Sequence, residues 1–166
     1  MKKKFWLCSF LLLVVGFFAF AETENATTKS PSSILTQNYI DSFVKNAKHI
    51  EEELEDSVEF TYFDEFEDFT NPVEIIELYE AGPTLQETQK ILTKYGLGSN
   101  PVPVFATILM GYNEAKIIKD EPLFHKDEYL ENRKPLIDFY KNYVSEADYE
   151  LIMKNYDALR RTMKKL

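Results

Sequence analysis

The sequence predicts an all-α protein, a single-domain bundle of about five or six helices behind an N-terminal signal peptide. Apolar residues recur at intervals of three and four along most of the chain, and Pro, Gly, Ser and Asn mark the ends of these segments. A chain of 166 residues is long enough for one sizeable core. We expect a signal peptide over 1–21, a flexible polar leader over 22–33 and a helical domain over 34–166.

The first 21 residues have the layout of a secretory signal peptide. Lys2 to Lys4 precede the apolar stretch Phe5 to Phe20, and the small residues Ala19 and Ala21 suit cleavage after position 21. The rival interpretation is an uncleaved anchor, but this apolar stretch is short for a membrane span. We therefore expect export, to the periplasm if the source is bacterial and to the medium otherwise, with no stable membrane span after cleavage.

The charge of the exported chain is strongly acidic and unevenly placed. The formal net charge is −9, and removal of the three signal lysines makes it −12. Ten carboxylates and no base lie between Glu51 and Asp68, which disfavours nucleic acid as a partner and favours a basic protein. An EF-hand is not indicated, because this stretch lacks the required glycine and ligand spacing. The only cysteine, Cys8, leaves with the signal, so burial alone must stabilise the domain.

The first two predicted helices follow the leader. Apolar positions from Tyr39 to Val58 form one stripe along a long helix, which places the glutamates of that segment on the outer face. The second helix has Asn71 as its N-cap, Pro72 at its first position and Gly82 just past its end. Both helices should therefore turn one face to a common core.

The next two helices bring the chain to its most apolar part. Thr84 and Glu87, at capping-box spacing, predict the start of the third helix, and Gly96 predicts its end. The fourth helix is almost entirely apolar from 102 to 112 and should be the central one. Gly111 in its middle costs helix propensity, so we expect it to let a neighbouring backbone approach closely.

The last two helices complete the bundle. We expect a kink or restart before Pro135, because proline disfavours a helical residue ahead of it. Ser145, with Asp148 three residues later, predicts an N-cap for the final helix. Apolar residues then step by three and four along that helix, at Tyr149, Ile152, Tyr156, Leu159, Met163 and Leu166.

An acid-rich stretch with phenylalanine at every third position separates the first two helices. One face of an α-helix cannot hold all four rings, so we expect an irregular or 3₁₀-like connection that turns the rings inward. The alternative is a partner-binding surface with the rings exposed. The candidate partner-binding residues are Phe60, Phe63, Asp64, Glu65, Phe66, Glu67, Asp68 and Phe69.

A second candidate site lies in the central helix. Phe105, Ile108, Leu109 and Tyr112 could line a pocket for a small apolar ligand, with tyrosine hydroxyls from neighbouring helices at its edge. The same residues could equally be a filled core.

Motifs for catalysis and for cofactors do not stand out. His49 and His125 each precede a glutamate by three residues, Glu52 and Glu128, but the di-iron bundle motif has the reverse order and needs further glutamates. The sequence has no phosphate loop or nucleophile elbow. We expect no catalytic residues, metal site or cofactor, and we favour a non-catalytic interaction protein of the cell envelope. A carrier of a small apolar ligand and a carboxylate- or metal-dependent enzyme are the alternatives.

Overall fold

The computed structural model describes residues 31–59, 71–119 and 126–166. Within these ranges the chain forms seven α-helices: Gln37–Glu55 (α1), Pro72–Glu80 (α2), Gln86–Lys94 (α3), Pro101–Lys119 (α4), Lys126–Tyr140 (α5), Glu146–Lys154 (α6) and Tyr156–Met163 (α7). A 3₁₀ turn, Gly82–Thr84, lies between α2 and α3. The prediction of an all-α bundle is confirmed, with one helix more than the upper predicted number.

Helix α4 is the centre of the bundle. It packs against each of the other six helices in the described ranges. Its side chains are buried from Val104 through Ala115, as its apolar sequence requires. No helix in the described ranges combines the length and the apolar character needed to cross a bilayer.

Several helix ends form as the local sequence predicts. The side chain of Asn71 caps α2 by accepting a hydrogen bond from the N–H of Val73 at 3.1 Å. After α3, Gly96 adopts φ +85°, and the N–H of Leu97 donates to the carbonyl of Leu92 at 3.1 Å. This is the Schellman arrangement, in which glycine takes the left-handed conformation without strain.

The start of α3 differs from the prediction. Thr84 lies in the 3₁₀ turn, where its hydroxyl donates to the carbonyl of Ala81 rather than capping α3. The cap comes instead from Glu59, whose carboxylate accepts hydrogen bonds from the N–H groups of Glu87 and Thr88, both at 2.9 Å. A side chain distant in sequence therefore satisfies the first amides of α3.

The last predicted helix is divided in two at Asn155. The side-chain amides of Asn155 and Gln37 exchange hydrogen bonds at 3.0 and 3.1 Å, which fastens this position to the start of α1. Ile152, Tyr156 and Leu159 still face the core from both sides of the break. The periodic pattern thus predicted the buried face correctly and the continuity of the helix wrongly.

Two further details of the packing bear on the predictions. Helix α5 continues through Pro135, so the predicted alternative of a restart is wrong. Gly111 does admit a close neighbour, because a Cβ atom at this position would overlap Cδ1 of Ile152. The group that approaches is therefore a side chain of α6 and not the predicted backbone.

Candidate functional site

An open cleft lies beside the C-terminal half of α4 and the first turns of α6. Its volume is about 810 Å³. The chain ahead of α1 forms one side of it, through Pro31 and Ser33. The remaining lining residues come from α4, from the α5–α6 connection and from α6: Glu114, Ile118, Lys141, Val144, Ser145, Glu146, Ala147, Tyr149 and Glu150. Polar, charged and apolar groups thus meet in one concave surface.

Glu114 is the buried acid of this cleft. Only 2% of its surface is exposed, although it lies on the cleft lining. Burial raises the pKa of its carboxyl from 4.5 to about 7, and the positive charge of Lys141 acts in the opposite direction. Within the described ranges no residue donates a hydrogen bond to Glu114 or forms a direct ion pair with it. Its carboxyl therefore changes charge near neutral pH.

Two tyrosines share the surroundings of Glu114. Burial is the main reason that the pKa of Tyr140 and that of Tyr149 are both raised to about 12. The negative charge of Glu114 raises both further, whereas a hydrogen bond with Asn113 acts in the opposite direction on Tyr140. Both phenols consequently stay neutral throughout the physiological pH range.

The wall formed by the N-terminal chain is fixed by Asp148. This carboxylate, only 1% exposed, accepts hydrogen bonds from the backbone N–H groups of Leu35 at 2.8 Å and Ile34 at 3.1 Å. The hydroxyls of Ser33 and Ser145 also donate to it, at 2.8 and 2.9 Å. A buried carboxylate with this many donors is well compensated for its loss of water.

These contacts decide the role of the two serines on the cleft. Ser145 also caps α6, because its oxygen accepts a hydrogen bond from the N–H of Asp148 at 3.1 Å. Both hydroxyl protons point to Asp148, whose carboxylate also accepts the backbone N–H groups of Ile34 and Leu35. Their role in the cleft is structural.

The predicted partner-binding residues Phe60, Phe63, Asp64, Glu65, Phe66, Glu67, Asp68 and Phe69 lie outside the described residues, so that prediction stays a prediction. The residues at either end of this stretch are held in place: Glu59 caps α3 and Asn71 caps α2. Val58 and Val73, beside these caps, are exposed by 68% and 61%.

The predicted pocket residues lie together in the core. Phe105, Ile108 and Leu109 are fully buried and Tyr112 is 3% exposed. The ring of Phe105 packs against that of Phe43 with centroids 5.9 Å apart, and Tyr112 stacks on Tyr156 at 5.8 Å. None of the four lines the Glu114 cleft. Whether they also bind an apolar ligand stays a prediction.

The histidine pairs are only partly described. Nδ1 of His49 lies 3.4 Å from a carboxylate oxygen of Glu52, and both side chains are well exposed on α1. His125 and the side chain of Glu128 lie outside the described residues. In the ranges that the structure describes, no three His, Cys, Asp or Glu side chains converge as ligands for a metal ion.

Sequence reasoning missed Glu114 and assigned Asp148 only its local role. Glu114 is the first acid after the long apolar run of α4, and this position at the edge of a buried segment was the available signal. The contacts of Asp148 with Ser33, Ile34 and Leu35, which we call the clasp, had no local signal, because these partners precede Asp148 by more than a hundred residues.

Comparison of the chain with protein-family models, curated proteins and solved structures found no match.

Proposed function

We propose that this chain is an exported, non-catalytic binding protein of the cell envelope, and that the Glu114 cleft receives its ligand. The N-terminal sequence supports export, since it has the charged, apolar and small-residue regions of a signal peptide in order. The observation that carries the binding role is a buried carboxyl on the lining of an open cleft, without a hydrogen-bond donor from the described residues.

Binding is favoured over catalysis by the arrangement around this carboxyl. Nucleophilic catalysis by the protein needs a hydroxyl, thiol or amine whose proton is directed at the catalytic base. The hydroxyls of Ser33 and Ser145 donate to Asp148 instead, and burial keeps the Tyr149 phenol protonated. What remains is a concave surface with a perturbed carboxyl and apolar walls, which is typical of a ligand site.

Native mass spectrometry tests this proposal. The full chain is expressed with its own signal, recovered from the exported fraction and sprayed from low-salt buffer. We expect a chain that begins at Glu22 and carries a constant added mass from a retained ligand or partner. Absence of the chain from the exported fraction would contradict export, retention of residues 1–21 would contradict cleavage, and a bare mature chain would contradict the binding role.

Two variants make the result specific to the cleft. Glu114→Gln should abolish the added mass, because it removes the charge on the lining while keeping the shape of the side chain. Glu74→Gln is the matched control, since Glu74 is a buried glutamate on α2 that does not line the cleft. Equal loss of the added mass in both variants would contradict a ligand at Glu114.

A further inference from the structure

We propose that the Glu114 cleft binds a small organic cation, an amine or guanidinium group attached to an apolar body. This inference rests on the proposed function, because it names the ligand class of the same site. Three features carry it: the missing donor at Glu114, the charge of the cleft and the nature of its walls.

The first feature is the missing donor. A buried carboxylate is normally compensated by hydrogen bonds, as Asp148 is by four neighbouring groups. Glu114 receives none from the described residues, yet it lies on the cleft lining. An ammonium or guanidinium group would supply both the N–H donors and the opposite charge.

The second feature is the charge of the cleft. Glu146 and Glu150 are exposed residues on the same lining, one helical turn apart on α6. Lys141 is the single base among the described lining residues, so the cleft has a formal charge of −2 when Glu114 is ionised. This charge attracts a cation to the cleft and opposes an anion.

The third feature is the walls. Ile118, Val144 and the half-buried ring of Tyr149 give the ligand an apolar surface, and the face of a tyrosine ring attracts cations. A hard divalent cation takes several oxygen ligands at once, and in the described ranges no three acidic, histidine or cysteine side chains converge to supply them. An organic cation uses both the carboxylate and the apolar surface.

The proposed binding depends on pH through Glu114. The titratable groups around it lie on α5 and α6 and in the connection between them: Tyr140, Lys141, Glu146, Tyr149 and Glu150. The described helices α1, α2, α3 and α7 contribute no charged group to the cleft lining. Burial places the pKa of Glu114 at about 7, so its carboxylate forms as the pH rises through neutrality. Affinity for a cation should rise over the same range.

Benzylamine is a suitable probe, with benzyl alcohol as its neutral counterpart and benzoate as its anionic one. Amide NMR shifts are followed at pH 5.5 and pH 8.0. We expect benzylamine to shift the amide resonances of Ile118 and of residues 144–150. Its affinity should be at least ten times that of benzyl alcohol, and benzoate should not bind. Its affinity should fall by up to about 30-fold at pH 5.5, the change in the ionised fraction of a group with a pKa of about 7.

Variants separate the charge of Glu114 from the shape of the cleft. Glu114→Gln should lower the affinity for benzylamine at pH 8.0 by tenfold or more and remove its pH dependence. Glu74→Gln should change neither the affinity nor its pH dependence. Lys141→Gln, an exposed substitution that preserves the core, should tighten binding about threefold by removing the opposing charge.

The inference is overturned if benzyl alcohol binds as well as benzylamine, if Lys141→Gln weakens the cation, or if Ca²⁺ shifts the same amides at lower concentration. None of these results would overturn the proposed function. If the mature chain retains a ligand in mass spectrometry but does not bind benzylamine, the binding role is supported and the organic cation is contradicted. Binding of benzylamine by a chain that is not exported would support the cation and contradict the proposed export.

Discussion

The buried carboxylate of Asp148 accepts a hydrogen bond from the backbone N–H of Leu35 at 2.8 Å, across 113 positions of sequence. This contact joins the start of the helical domain to the first turn of α6. Because Pro31 and Ser33 line the same cleft as Glu114, the clasp at Asp148 also determines the shape of that cleft. Stability and site geometry are therefore linked at this residue.

We predict that Asp148→Asn lowers the free energy of unfolding by about 2–3 kcal/mol. The asparagine amide would direct N–H groups at backbone N–H donors, and buried donors would lose their acceptor. Asp157→Asn, an exposed change in the first turn of α7, is the control and should lower the free energy of unfolding by at most about 0.5 kcal/mol. Urea unfolding followed by circular dichroism measures both. Equal effects would contradict the clasp.

Glu114 should make the protein less stable as the pH rises. Between pH 4.5 and about 7 the folded chain holds a proton at Glu114 that the unfolded chain has already lost, so unfolding becomes easier across this window. Relative to wild type, Glu114→Gln should gain about 1–3 kcal/mol at pH 8 and nothing at pH 4, the range allowing for screening by water in the open cleft.

Urea unfolding of wild type and Glu114→Gln at several pH values measures that difference directly. Because the other carboxyl groups titrate in both proteins, their contributions to the free energy of unfolding cancel in this difference. A difference that does not change with pH would show that Glu114 has an ordinary pKa, and it would contradict the desolvated carboxyl.

Glu59 should stabilise α3 as a cap supplied from outside the helix. Burial alone would raise the pKa of Glu59, but hydrogen bonds from Glu87 and Thr88 outweigh it and the pKa is lowered. We expect Glu59→Ala to cost about 1 kcal/mol at pH 7, as for other lost N-caps. The cost should shrink as the pH falls from 4.5 through the lowered pKa of Glu59 in the folded protein, where its carboxylate becomes protonated.

Unfolding at pH 7 and pH 3 tests this cap, with Glu55→Ala as the control on the exposed face of α1. Thr84→Ala provides a second comparison, because a local capping box would make Thr84 the important residue. A larger loss for Thr84→Ala than for Glu59→Ala would contradict the cap by Glu59.

The close approach of Ile152 to Gly111 predicts a rescue by a second substitution. Gly111→Ala should gain helix propensity but overpack the fully buried Ile152, for a net loss of up to about 2 kcal/mol. Ile152→Val removes Cδ1, the atom that the new methyl group would overlap. The double variant should therefore be more stable than the sum of the two single changes predicts, as a double-mutant cycle measures. Strict additivity would contradict the contact.

Sequence reasoning succeeded where structure is decided locally. The caps at Asn71 and Ser145 and the stop at Gly96 each follow from a side chain or a backbone conformation within one helical turn. The central position of α4 followed from its lack of a polar face. These features establish the fold class and most helix boundaries.

The sequence could not predict features made by distant residues. The break at Asn155 depends on its amide pair with Gln37, and the cap of α3 depends on Glu59. The cleft also depends on residues distant in sequence, because several elements together bury Glu114 and thereby raise its pKa. A glutamate at the end of an apolar run looks the same in sequence whether it reaches solvent or a cleft.

The most direct test of the binding role is the pKa of the Glu114 carboxyl, measured by ¹³C NMR on glutamate-labelled protein with and without benzylamine. Glu114→Gln identifies the resonance by its disappearance. We predict a pKa of about 7 in the free protein and a clearly lower value when the cation is bound. A pKa near 4.5 that benzylamine does not change would contradict both the desolvated carboxyl and its role in the cleft.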